Sequence, residues 1–439
     1  METEQTILTC EPDNQTTPNF VSDVNVSLPL VNSHSKMTIK KLAIFLPIAY
    51  RGGSLNGAKN IAKMLHKGSR HHNESVEIVF SYVGDSYDIE EDFSDLTQMG
   101  IQVRQTEWRI MNRDEVELTS KFLAQNPQLN YDNYSYPYDN IANFNDCDFW
   151  LIISDRTIQP IAPIKPYGMV IYDYIQRYLP ETFGSYYEEG YIASSRAATF
   201  VLTTTPATRA DAIQYAGVDH KRVHLMPMEF NPFRITPNPS SHKKDYFIWS
   251  TNTASHKNHI KAIDALNAYY NDLNGTLDVL MTGFGTKLYD FNDTTQSEIE
   301  NPYIKKVRNL LASTPSVANR LVCMGNLNTS QYISTLASAK FLWHPAIIDN
   351  GTYSLVEAAY YGVPSLSSYY PQTAYMNERF KLNSLFFNPL KTTEMAASLK
   401  TMEQEYKKRS QDLPTKEFLD TFSWEALAPD IWKFFRNLL

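Results

Sequence analysis

The chain has 439 residues, 43% of them hydrophobic and 20% charged, with a formal net charge of −8. That length implies two or three domains, each able to bury a core of its own. The acidic balance excludes general nucleic-acid binding, and the three scattered cysteines (Cys10, Cys147, Cys323) exclude a disulfide framework or a zinc site.

Residues 1–36 are polar, rich in Asn, Thr and Ser, and lack periodicity, which predicts a mobile extension. A folded domain then begins at Met37. Leu42–Leu46 reads as a buried strand, Arg51-Gly52-Gly53-Ser54 as a tight turn, and Ala58, Ile61, Ala62 and Leu65 as the core face of a helix. Val76–Phe80 is the next strand. Strand, glycine turn, helix and strand open a parallel α/β sheet. The glycines lack the G-x-G-x-x-G spacing of a dinucleotide site, so a nicotinamide cofactor is not expected. Lys59, Lys63, Lys67 and Arg70 recur on the other face of that helix. Such faces are usually solvated, and on an acidic protein this one also suits an anionic membrane surface.

Residues 84–147 show acidic clusters and a Tyr/Asn-rich stretch but no clear pattern. Asp146-Cys147-Asp148 has the D-x-D form of metal-dependent sugar-nucleotide enzymes, yet it precedes a strand, at the wrong edge for a ligand site. Strands resume at 149–153, 169–172, 200–203 and 222–226, with a helix over 206–215. Asp155 with Arg156, and Tyr172 with Asp173, follow two of these strands. Each pair is placed to meet an acceptor hydroxyl, although loop acids are common.

Asn231-Pro232 and the Pro/Ser-rich stretch 237–242 read as a linker, after which the alternation restarts. Strands are expected at 246–249, 277–281, 321–323, 341–344 and 365–367, with helices at 257–271, 303–312 and from 330. The polar loop Ser250–His259 follows the first strand of this series. In it, Lys257 with His256 is placed to neutralise a diphosphate leaving group, although a lysine near a helix start can also be merely solvated. The loop after the strand at 341–344 carries Asp349, Asn350 and Gly351. A short helix then opens with Thr352, Tyr353 and Ser354, contains Glu357, and stops at Gly362-Val363-Pro364. Unpaired amides at a helix start attract anions, and the acids on either side suit hydroxyls. The same residues also suit an ordinary strand–loop–helix with a solvated acid at each end. The closing segment 422–435 is an amphipathic helix that Pro429 is expected to kink or split.

The resulting fold class is α/β, with two Rossmann-like doubly wound domains facing a central cleft at their strand ends. The expected divisions are the extension 1–36, a first Rossmann-like domain 37–230, a second 231–422, and a C-terminal helix 423–439 that crosses back to the first domain.

Over residues 40–437 the chain resembles retaining glycosyltransferases of the GT-B fold, family 4. In that family a Glu-x7-Glu motif contacts the donor, and Asp349 and Glu357 match its two acids, with Gly362-Val363-Pro364 following as usual. Asp349 departs from the pattern by one methylene. Lys257 matches the lysine of the family's diphosphate-binding pair. The arginine partner is absent, with Thr251 or Asn252 at its place and His256 nearby. Gly52 and Gly53 match the N-terminal glycine loop, and Thr203–Arg209 resembles a Ser/Thr-rich segment ending in arginine. The family histidine near the strand at 169–172 is replaced by Tyr172 and Asp173.

The wording of the loops is most similar to bacterial mannosyltransferases that build surface polysaccharides such as O-antigen. The resemblance implies hexose transfer with retention, best read as mannose from GDP-mannose onto a growing or lipid-linked glycan, without a cofactor or metal. Asp349, Lys257 and Glu357 would be the catalytic set. Gly52, Gly53, Asn252, His256, Gly351, Thr352, Tyr353 and Ser354 would bind the donor, and Asp155, Tyr172 and Asp173 the acceptor. The alternatives are a UDP-sugar-dependent enzyme of the same fold, a catalytically degraded binding module, or a sugar-nucleotide epimerase. No apolar run reaches the ~18 residues of a membrane span and no leader opens the chain, so a cytoplasmic location, with contact at the inner membrane face through the basic stripe, is expected.

Overall fold

The computed structural model describes residues 37–439 apart from 124, 155, 158, 181–185, 237–242, 293–300 and 351–352, and of 186–189 and 191 it describes the backbone alone. The predicted extension 1–36 and the stretch 237–242 of the predicted linker therefore lie outside the described residues. The chain divides into two units. In the smaller, the described residues Met37 and Leu439 are joined by a backbone hydrogen bond of 3.1 Å. The larger, Ile39–Leu438, holds everything that follows.

Two sheets organise the larger unit. The first contains β1 (Lys41–Leu46), β2 (Glu77–Val83), β3 (Gln102–Asn112), β4 (Asn133–Tyr138), β5 (Phe149–Ile153), β6 (Tyr167–Ile171), β7 (Phe200–Thr203) and β8 (Val223–Leu225), in the order β4-β3-β2-β1-β5-β6-β7-β8. The second contains β9 (Tyr246–Ser250), β10 (Asp278–Thr282), β11 (Leu321–Gly325), β12 (Leu342–His344), β13 (Ser365–Ser368) and β14 (Leu385–Phe387), in the order β11-β10-β9-β12-β13-β14. All pairings are parallel except β3 with β4. Central strands of such sheets are covered on both faces and read as unbroken apolar runs. From Leu42 to Leu46, β1 is at most 1% exposed.

The order of each sheet reverses beside its first strand: β1 lies between β2 and β5, and β9 between β10 and β12. Crevices open at the carboxyl ends of strands at such switch points. The loops after β1, β5, β9 and β12 are thus the ones the topology brings to a common mouth.

Residues 84–147, unpatterned in the sequence, contain α2 (Ile89–Thr97), β3, α3 (Arg113–Phe122) and β4. Asp88 caps α2, accepting from the amides of Glu90 and Glu91 at 2.8 and 2.9 Å. The antiparallel β3–β4 pair adds an edge to an otherwise parallel sheet, and Pro137 is tolerated there because an edge strand needs fewer donors. Asp146 and Asp148, the D-x-D acids, serve the fold: Asp146 pairs with Lys41 at 2.8 Å and Arg104 at 2.7 Å, and Asp148 accepts from the Lys40 and Lys41 amides.

The basic stripe of α1 (Gly53–His71) is solvated at Lys67 and Arg70, which are exposed, but not over its first half. Lys59 and Lys63 both bind Asp95 of α2, at 2.7 and 2.5 Å, and their side chains are only 13% and 11% exposed. Lys63 and Lys67 lie over the Trp424 ring. Among the described residues no helix is long and apolar enough to cross a membrane.

The closing helix, Trp424–Leu438, is not split at Pro429. It packs on α1 where Gly68 leaves room: a Cβ there would meet the Ala428 carbonyl oxygen at 2.2 Å and the Trp432 Cβ at 2.5 Å. Phe435 then sits edge-on to Phe149 and Phe200. Gly68→Leu is therefore expected to lower the melting temperature, costing at least the ~1–3 kcal/mol of an overpacked core. An unchanged melting temperature would mean that the two helices separate freely.

Candidate active site

The four switch-point loops enclose a cleft of about 630 Å³. Its first wall carries Gly52, Gly53, Ser154, Arg156, Tyr172 and Asp173; its second carries Asn252, His256, Lys257, Asp349, Tyr353, Ser354 and Glu357. Every sequence-predicted site residue that the structure describes therefore lies in this one cleft. Asp155, Gly351 and Thr352 lie outside the described residues.

The loop after β9 is held rigidly. Asn258 takes a left-handed conformation (φ 67°), and its Nδ2 donates to the Pro345 and Pro389 carbonyls at 3.0 and 2.9 Å. Asn252 Oδ1 accepts from the Ala254 amide at 3.0 Å, the local turn that asparagine favours. The Ile347 amide donates to the His256 carbonyl at 2.8 Å, lacing this loop to the one after β12. From the other side Gly283 presses against it, since a Cβ there would stand 1.8 Å from the Thr251 carbonyl oxygen.

This lacing brings together charges that are 92 residues apart in the chain. The sequence suggests separate tasks for Lys257 and Asp349, whereas in the structure the Lys257 ammonium is paired directly with the Asp349 carboxylate. His344 Nε2 stands 3.5 Å from the same carboxylate, with Nδ1 3.3 Å from the Ser367 hydroxyl. Burial pushes the Asp349 carboxyl up, but the Lys257 charge, followed by the contact with His344, outweighs it and holds the carboxyl well below the usual range. Burial lowers His256 to about 4, so that ring is neutral at pH 7, and burial also lowers His344 from its ordinary value, against the opposing Asp349 carboxylate. The Lys257–Asp349 pair thus carries no net charge.

Glu357 is a different kind of acid. Burial among protein atoms pushes it up to about 7, opposed by the Tyr332 hydroxyl, which donates to it at 2.9 Å. It titrates in the physiological range while still opening onto the cleft.

On the first wall, Gly52 adopts φ 64°, ψ −133°, a region essentially reserved for glycine, and leads into α1. No atom lies within 4 Å of where a Cβ of Gly52 or Gly53 would be, so both backbones face open space. Arg51 is turned away to Asp92 and the Ser86 carbonyl. Tyr172 packs its hydroxyl over Gly57, and Asp173 accepts from the Ile175 amide at 3.2 Å. Between the lining residues Met228 and Phe230, Glu229, 3% exposed, accepts from the Tyr353 hydroxyl at 3.3 Å and is also bonded by Asn60 of α1. This acid ties the two halves together. Arg209 instead donates to the Val223 carbonyl, and Thr205 caps the helix Pro206–Gln214, so that segment supports the fold.

No family model matches the chain, and no curated protein matches it. Solved structures do match. The chain is similar to Anabaena HepE in complex with UDP and glucose, at 14% identity with a TM-score of 0.63, over 91% of this chain and 100% of that one. It is similar to a glycosyltransferase from Rickettsia africae ESF-5, at 12% identity and TM-score 0.59 over 91% and 98%. It is also similar to WaaG, a glycosyltransferase involved in lipopolysaccharide biosynthesis, at 15% identity and TM-score 0.57 over 90% and 99%. The fold is GT-B.

In and behind the lining of this GT-B cleft, several residues escape sequence reasoning. His344 ends an apolar run and looks like part of a strand. Tyr332 lies inside the helix Thr329–Ser338, 25 residues from the acid it touches. Glu229 follows an unremarkable strand end. Only the position of His344 at the carboxyl end of β12, the ligand edge of the sheet, could have singled one of them out.

Proposed function

We propose that this chain is a retaining glycosyltransferase of the family 4 type, which moves a hexose from a sugar nucleotide onto a growing glycan. The observation that carries this reading is the convergence of Lys257, Asp349, Glu357 and the start of the helix Tyr353–Tyr360 on one wall, opposite the open Gly52-Gly53 backbone. A sugar diphosphate has three kinds of group to satisfy. Its phosphates suit Lys257 and the amides at the helix start. Its ribose hydroxyls suit the Glu357 carboxylate. Its hexose hydroxyls suit Asp349, which stays ionised and can accept from them.

In the transfer, the bond between the anomeric carbon and the β-phosphate oxygen breaks and its electron pair leaves with the phosphate. The acceptor oxygen bonds the anomeric carbon on the same face, and its proton passes to the departing phosphate. Lys257 then stabilises the charge that accumulates on the leaving group, which is where a positioned donor contributes most. Asp349 is released toward the sugar as Lys257 turns to the phosphate.

For the donor, the wording of the loops favours GDP-mannose. A UDP-hexose is the second reading, favoured by HepE, whose structure is described with UDP and glucose. Calorimetric titration with GDP-mannose, UDP-glucose and UDP-galactose is expected to show one donor bound at least about tenfold more tightly than the others. Failure of all three to bind would remove the proposal.

A further inference from the structure

Behind the loop after β9 lies a histidine that takes no part in the chemistry proposed above. His259 is fully buried and opens the helix His259–Asn271, directly after Asn258. Its ring stacks on Trp249, with centroids 5.3 Å apart and planes at 29°. Nε2 stands 3.2 Å from the hydroxyl of Thr251, at the other end of the loop. That hydroxyl gives its single proton to the Asn252 carbonyl at 3.2 Å, so it accepts from Nε2–H. Nδ1 is then a bare acceptor, and the Tyr303 hydroxyl donates to it at 3.1 Å. The His259 amide donates back to the same phenol oxygen at 3.2 Å. Tyr303 Oη also stands 3.4 Å from the carbonyl of Ser255, in the Ser255–Lys257 turn. Tyr289 Oη is 3.4 Å from both Nδ1 and the Thr253 carbonyl. Burial lowers the ring to about 3, so it is neutral and can both donate and accept.

On the reading of Lys257 as the group that meets the leaving phosphate, we propose that His259 is its positioning residue. Held as the Nε2–H tautomer, the imidazole clasps both ends of the loop and fixes the backbone from which Lys257 reaches. The long Lys257 side chain turns from Asp349 to the phosphate, so its precision comes from the backbone beneath it. A misplacement of about 1 Å at such a group costs about 10²-fold in rate. Asn258 anchors the loop to the carbonyls of Pro345 and Pro389, and His259 with its two phenols anchors it from behind.

The test is release of nucleoside diphosphate from GDP-mannose, UDP-glucose and UDP-galactose by the full chain. His259→Phe keeps a ring against Trp249 and loses both side-chain hydrogen bonds. It is expected to lower release about 10- to 100-fold. His259→Gln, which restores a donor toward Thr251, is expected to recover part of the loss. Added to Lys257→Ala, His259→Phe should lower release by no more than about twofold, because it acts through the lysine. Losses that multiply in the double variant would overturn the assignment, as would wild-type release by His259→Phe alone. Long-range ¹H–¹⁵N spectra of the wild-type histidine rings test the clasp without any donor or variant. They should show one ring held as Nε2–H, without titration, between about pH 5 and 8. No such ring would overturn the inference whatever the variants do. If that ring is found but the wild type releases no nucleoside diphosphate, the sugar-nucleotide reading falls while the clasp on the loop stands.

Discussion

Lys257→Ala is expected to reduce turnover by about 10²–10³, the usual cost of removing a donor aimed at developing charge. The same change should also destabilise the protein. Lys257 and Asp349 are 14% and 9% exposed at the side chain, and removing one partner of a buried pair leaves the other charge uncompensated, at a typical cost of ~3–5 kcal/mol. The two effects separate in the double variant. Lys257→Ala with Asp349→Ala removes the orphaned carboxylate, so its melting temperature should rise above that of Lys257→Ala while turnover stays low. A double variant no more stable than the single one would mean that the pair is not what holds these loops together.

The second large effect concerns pH. With Glu357 titrating at about 7, its carboxylate form, the one able to accept from two ribose hydroxyls, predominates only above neutrality. Donor KM is therefore expected to rise severalfold as pH falls from 8 to 6. Tyr332→Phe deletes the hydrogen bond that holds the Glu357 value down, so the profile should move to higher pH. Glu357→Gln should flatten it at a high KM. Stability runs the opposite way. The folded value exceeds the ordinary 4.5, so the folded state binds more protons between those limits and loses stability as pH rises through about 7. At pH 8 Glu357→Gln should thus melt higher than wild type while binding donor more weakly. A donor KM that is flat from pH 6 to 8 would remove Glu357 from the ribose site.

These two acids illustrate what could be read in advance. Their positions were legible because a strand, a loop and a capped helix follow one another within twenty residues, and the strand itself is an apolar run. Their chemistry was not. The states of Asp349 and Glu357 depend on Lys257 and Tyr332, supplied by another loop and another helix, and on His344 at the end of the preceding strand, which nothing local marks as a partner. The same division holds for the fold. The central strands β1, β9 and β12 declare themselves because both faces are buried. In contrast, β3 alternates irregularly and β4 carries Tyr, Asn and Pro at an edge, where sequence constraints are weak. The basic stripe of α1 shows the same limit: periodicity places four cations on one face but cannot reveal that Asp95 takes up Lys59 and Lys63 while Lys67 and Arg70 stay exposed.

The central claim is that this GT-B cleft breaks a sugar–diphosphate bond. The most direct measurement is the release of nucleoside diphosphate from GDP-mannose, UDP-glucose and UDP-galactose, with wild type and Lys257→Ala compared side by side. The account predicts release from at least one donor by the wild type, and a rate lower by about 10²–10³ in the variant. Equal rates for the two proteins, or no release from any donor, would contradict it.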